Sequence, residues 1–233
     1  MSEPSSIAAK PTPPPKAKPP RAKRVRDSAR TKAEILVAGR AEFAERGFEG
    51  ARVDAIAALA GANKRLLYHY YGNKEELYRA VLLDAYQEIR RGERALSLDQ
   101  FGPAEAMDRL VRFTFRHFLA NPWFPRLLNT ENIENARFLK TMTDIQALHS
   151  PLVGQITTIV ERGAEIGVFR RDVDPVQLYI SIAALGFFYV SNMATLSVIF
   201  ARDLSGIDMV QEREAQAVQM VLDYLRTKPV GQG

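Results

Sequence analysis

The chain has 233 residues, 46% of them hydrophobic and 25% charged, an ordinary globular balance with enough length for a sizeable core. It has no cysteine and three widely spaced histidines, His69, His117 and His149, which excludes disulfide staples, thiolate zinc sites, iron–sulfur clusters and a histidine metal cluster. The net charge of +5 is unevenly placed: residues 1–30 carry eight basic and two acidic groups, whereas the remaining 203 residues carry 24 basic and 25 acidic ones. A basic arm on a near-neutral body points to a polyanionic partner.

Residues 1–26 hold seven of the thirteen prolines, interleaved with Lys, Arg and Ala. No apolar run follows the charges, so the segment does not read as a secretory signal. Such a composition cannot offset its own ordering entropy, and residues 1–27 are expected to be a disordered basic tail.

The rest reads as helices, because nothing alternates with period two for long. From Ser28 to Arg46, Ile35, Leu36, Ala38, Phe43 and Ala44 follow helical spacing, and Gly47 is the expected stop. Short helices follow at Val53–Ala60, ended by Gly61, and at Lys64–Tyr71, capped by Asn63. Asn73 can cap a longer helix reaching about Arg94. After a loop near Ser97–Gly102, Pro103 opens a helix to about Ala120 and Asn121-Pro122 starts a shorter one. Residues 134–166 read as helical with a break at His149-Ser150-Pro151. Asp174-Pro175 opens a long apolar helix to about Ala201, and an amphipathic helix runs from Ile207 to Arg226.

The stretch Val176–Ala201 contains no charge over 26 residues, more than a membrane span needs. It also carries Gln177, Ser181, Ser191, Asn192, Thr195 and Ser197, and charges of both signs flank it. A helix apolar on every face also suits burial between subunits, and that reading is preferred.

Ile56, Ala57, Ala60, Gly61, Ala62 and Leu67 form a constellation with a physical meaning. Two short helices cross tightly when the contact residue is as small as Ala57. The turn between them needs a residue at ease at positive φ, as Gly61 is. Ile56 and Leu67 fill the wedge, and Tyr71 shares the buried face with Leu67. Lys64, Arg65, Tyr68 and His69 then point outward, a set suited to a major groove. A plain helical hairpin would also have a charged outer face, so spacing alone leaves both readings open.

The run Gly47–Val81 closely resembles the DNA-binding module of the tetracycline-repressor (TetR) family. Gly47-Phe48, Ile56-Ala57, Ala60-Gly61, Leu67-Tyr68 with Tyr71, and Lys74-Glu75 with Leu77 match its pattern. With helix one, the resemblance covers about residues 28–90. It departs at the start of helix two, where Ala51-Arg52 stand in place of the family's Thr, and Arg52 becomes the alternative phosphate contact. The resemblance implies DNA-contacting roles for Lys64, Arg65, Tyr68, His69 and Lys74. It implies an all-α fold, with a three-helix helix-turn-helix domain (28–73), a linking helix (74–94) and a helical effector-binding and dimerisation domain (95–228). It further implies a cytoplasmic homodimer that binds a double-stranded operator and is released by a small-molecule effector, with no cofactor and no membrane.

Polar residues within apolar helical runs are the pocket candidates: Arg112, His117, Asn132, His149 and Asn192. The competing classes are a DNA-binding scaffold without effector control and an all-helical enzyme. No Gly-rich phosphate loop, HExxH, GxSxG elbow or His–Cys pair supports the enzyme. Glu131 and Glu134 lack the histidines a di-iron site needs.

Overall fold

The computed structural model describes residues 21–226, with side chains from Ser28 onward. The expected tail over 1–20 lies outside the described residues. Residues 21–27, assigned to that tail from composition, instead belong to the first helix.

Nine α-helices follow in order among the described residues: α1 Arg21–Gly50, α2 Val53–Leu59, α3 Lys64–Tyr71, α4 Lys74–Ala95, α5 Pro103–Ala120, α6 Trp123–Ile133, α7 Ile145–Glu165, α8 Pro175–Ile199 and α9 Ile207–Leu225. Gly47 (φ 65°, ψ 178°) breaks α1 where the sequence expects a stop. Pro103 and Pro175 sit in the first turns of α5 and α8. Asp174 caps α8 by accepting from Val176 N at 2.8 Å and Gln177 N at 3.2 Å.

One expectation fails in an informative way. Residues 134–144 are not helical, and the break expected at 149–151 is absent. Asn135 and Ala136 adopt left-handed backbone (φ 54° and 56°), and Ala136 N turns back to the Glu131 carbonyl, which ends α6. Pro151 sits in the second turn of α7, where its missing N–H removes a single backbone bond and the helix continues.

Two apolar cores form. The first joins α1–α4 to Phe118, Phe124, Leu127 and Phe138. The helix-turn-helix core is therefore not closed at residue 73, because α6 and the 134–144 segment complete it. The second core gathers α5, α7, α8 and α9 around Met107, Leu110, Ile156, Ile182 and Leu225. Gly186 sets how closely α8 approaches α5: a Cβ there would stand 3.2 Å from the Phe115 backbone and 3.1 Å from the Phe118 ring.

The long α8 passes the length and apolarity test for a membrane span, as its sequence suggests. One of its faces packs on the second core while Val176, Ile180 and Phe188 remain exposed. Met220 and Tyr224 of α9 flank that exposed strip, and the two helices enclose an apolar groove of about 540 Å³.

Candidate functional site

The α2–α3 unit is built as its residue types dictate. Ile56 and Leu67 are fully buried and Ala57 lies at the crossing. Gly61 takes φ +59°, and Ala62 N closes the turn on the Ala57 carbonyl at 2.9 Å. Asn63 caps α3 by accepting from Leu66 N at 2.8 Å. Tyr71 ties α3 to α1 by donating to the Lys32 carbonyl at 2.9 Å.

Lys64, Arg65, Tyr68 and His69 all lie exposed on the outer face of α3. Lys64 pairs with Asp54 of α2 at 3.0 Å, and that carboxylate holds its ammonium above the ordinary lysine value. Arg52 is exposed at the N-cap of α2 and its side chain makes no capping bond. Instead Glu42, buried on α1, accepts from Arg52 N at 3.0 Å. A carboxylate from another helix thus does the capping that the family's Thr would provide, a contact that no local spacing signals. Lys74 differs from its neighbours. It is half-buried, donates to the Glu49 carbonyl at 3.2 Å and lies 4.7 Å over the Phe48 ring.

The five pocket candidates separate into two groups. Arg112 bridges Asp108 at 2.9 Å and Glu214 at 3.4 Å across α5 and α9. Asn132 is exposed near the end of α6, and Asn192 donates to the Phe188 carbonyl of its own helix. These three do not converge. His117 and His149 both reach the interior between α4, α5 and α7: His149 meets the Tyr86 ring at 5.0 Å, and His117 meets Phe124 at 5.3 Å.

Burial pushes both imidazoles below the ordinary histidine value. The unfolded chain takes up protons below about pH 6.5 that the folded chain refuses, so this stabilisation is present above that pH and lost as pH falls. Lowering the pH from 7 to 5 should therefore reduce the urea midpoint more in the wild type than in a His117→Gln/His149→Gln double variant. Equal losses in the two proteins would remove the histidines from the account. Glu93, whose carboxyl burial pushes up to about 7, acts in the opposite sense and is common to both proteins.

The most buried charges were not foreseen. Arg90 and Glu93 of α4 are each 2% exposed. Their Nε–Oε2 separation is 3.0 Å, a contact close enough for an ion pair yet misaligned for a hydrogen bond. Arg90 Nη2 donates to Tyr179 Oη of α8 at 2.8 Å. Both residues line a cavity of about 510 Å³ between α4 and α7, whose other walls include Arg94, Asp99, Leu148 and Leu152. Its volume is that of a small-molecule site. Among the described residues no cluster of His, Cys, Asp and Glu could hold a metal ion.

An exposed basic helix on a tight helical turn, joined to an all-helical body with an interior cavity, defines a helix-turn-helix regulator. Residues 35–81 match the family model for bacterial regulatory proteins of the tetR family, and residues 103–221 match a tetracyclin repressor-like C-terminal domain. The chain is 36% identical to the HTH-type transcriptional repressor NicS of Pseudomonas putida over 182 residues, 78% of this chain and 86% of that one. It is 30% identical to the repressor SCO4008 of Streptomyces coelicolor over 200 residues, 85% of this chain and 98% of that one. The fold is similar to a TetR-family regulator from Marinobacter aquaeolei, with a TM-score of 0.68 at 22% identity, covering 88% of this chain and all of the other. It is also similar to a regulator, SCO4942, from Streptomyces coelicolor, with a TM-score of 0.62 at 26% identity, covering 84% and 98%. The chain belongs to the TetR family of DNA-binding transcriptional regulators.

Proposed function

We propose that the protein is a cytoplasmic homodimeric repressor that holds a near-palindromic operator through two copies of α3. In this reading a small molecule entering the α4–α7 cavity releases it. The observation that carries the first part is the outer face of α3, where Lys64, Arg65, Tyr68 and His69 stand exposed on a helix anchored by a fully buried Leu67. Arg65 has the planar fork that matches guanine O6 and N7, whereas Tyr68 and Arg52 suit phosphates. A phosphate contact by Lys74 would require it to leave the Glu49 carbonyl. The exposed apolar strip of α8 and α9 supports dimerisation, which would bring the two recognition helices to a fixed spacing.

Release would be a population shift. The 134–144 segment supports this, because it follows α6, leads into the cavity-lining α7 and plants Phe138 in the helix-turn-helix core. Arg137 pairs with Glu49 at 3.2 Å and Arg126 pairs with Glu45 at 2.9 Å, both reaching back to α1. A ligand that favours a conformer with the α3 helices wrongly spaced weakens DNA binding by its differential affinity. Coupling of about 1–3 kcal/mol corresponds to roughly 5–150-fold.

Arg65→Ala is expected to cost about 1–3 kcal/mol of operator affinity and to relax preference at one base pair per half-site. A base-substitution scan by fluorescence anisotropy checks this. An unchanged preference profile in the variant would refute direct readout by Arg65.

A further inference from the structure

The walls of the α4–α7 cavity carry both signs of charge in equal number, Arg90 and Arg94 against Glu93 and Asp99. A ligand with net charge would therefore meet a repelling group as well as an attracting one. The innermost pair is also incompletely satisfied. Arg90 Nε and Nη1 and both Glu93 carboxylate oxygens are buried without an aligned hydrogen-bond partner. Buried polar atoms left in this state are costly, so a native site that keeps them calls for a reason. The Tyr179 hydroxyl, which accepts from Nη2, fixes the guanidinium and leaves its other edge beside Glu93.

That edge places donors next to acceptors. A carboxylate ligand would satisfy Arg90 but set its charge against Glu93. An amidine-like cation would satisfy Glu93 and oppose Arg90 and Arg94. A neutral ring bearing an N–H beside a C=O satisfies both at once. Leu148, Pro151 and Leu152 on the facing wall supply the apolar surface that a flat ring would cover.

We propose that this cavity takes a small planar lactam or cyclic imide, its carbonyl accepting from the Arg90 guanidinium and its ring N–H donating to the Glu93 carboxylate. The assignment rests on the α4–α7 cavity being the effector site. It deepens that reading by giving the effector a chemical class. Above about pH 7 the buried Glu93 carboxyl is in its acceptor form, which sets the conditions of the test.

The test uses the full chain at pH 8 and four probes followed by thermal shift and calorimetry: 2-quinolone, N-methyl-2-quinolone, benzoate and benzamidine. The lactam should raise the melting temperature. Its N-methyl analogue, which lacks the donor, should bind at least about tenfold more weakly, and the two ions should bind more weakly than the lactam. Equal binding of lactam and N-methyl analogue, tighter binding of benzoate or benzamidine, or no binding by any probe would each overturn the proposal. Gln155→Trp, at the partly exposed rim of the cavity, separates this from failure of the underlying reading. Lactam binding lost in that variant locates the ligand here. Lactam binding with undiminished affinity places it elsewhere and overturns the cavity assignment itself.

Discussion

Truncating Phe138 to Ala is expected to destabilise the protein by about 3–5 kcal/mol, the range for a fully buried Phe. The side chain is 1% exposed, 4.5 Å from the Phe48 ring and 4.8 Å from the Tyr78 ring by centroid. It lies far in sequence from both, so its loss opens a cavity in the helix-turn-helix core from outside that module. Beyond stability, the proposed release mechanism predicts a second effect. Phe138→Leu, which keeps much of the volume, should still fold and bind operator, yet respond less to a cavity ligand. Chemical denaturation of the Ala variant and operator titrations of the Leu variant measure the two parts. A cost below about 1 kcal/mol for Phe138→Ala would show that the segment only rests on the core.

The second large effect is expected at α8. Phe188 is 56% exposed in the protomer and lines the α8–α9 groove with Ala184, Leu185 and Met220. In a two-fold dimer each such residue occurs on both sides of the interface. Phe188→Asp then buries an unpaired carboxylate in each protomer, at several kcal/mol apiece. The variant should sediment as a monomer or precipitate at micromolar concentration, and the soluble fraction should lose operator binding because the two half-sites are no longer joined. A variant that remains dimeric with intact operator affinity would place the interface elsewhere.

Much of this architecture is legible in the chain because local chemistry decides it. Gly61 and Asn63 fix the turn and start of α3, Pro103 fixes the start of α5, and Asp174-Pro175 fixes that of α8. The outer face of α3 is readable for the same reason: Leu67 must be buried, and helical geometry then directs Lys64, Arg65, Tyr68 and His69 outward. What escapes are features decided by tertiary contact. Glu42 caps α2 from another helix, ten residues away from its partner. Arg90 and Glu93 belong to a charged run, Arg90-Arg91-Gly92-Glu93-Arg94, that reads as the solvated end of a linking helix. They nonetheless continue the buried stripe of α4, four residues beyond Tyr86 and Ile89, and that periodicity is the signal that could have found them. Of the five polar pocket candidates, His117 and His149 reach the interior. Arg112, Asn132 and Asn192 do not, because polarity within an apolar helix does not say which face a residue occupies. The end of α6 was missed because Asn135 and Ala136 adopt left-handed backbone without a glycine to announce it.

Specific recognition of a two-fold operator by α3 is the central claim, and selection of bound fragments from genomic DNA by the full-length wild-type chain tests it most directly. The account predicts one enriched motif of two inverted half-sites, their centres about 34–36 Å or a multiple of that apart along the duplex. Enrichment that follows only base composition, or a single half-site without its inverted mate, would contradict it.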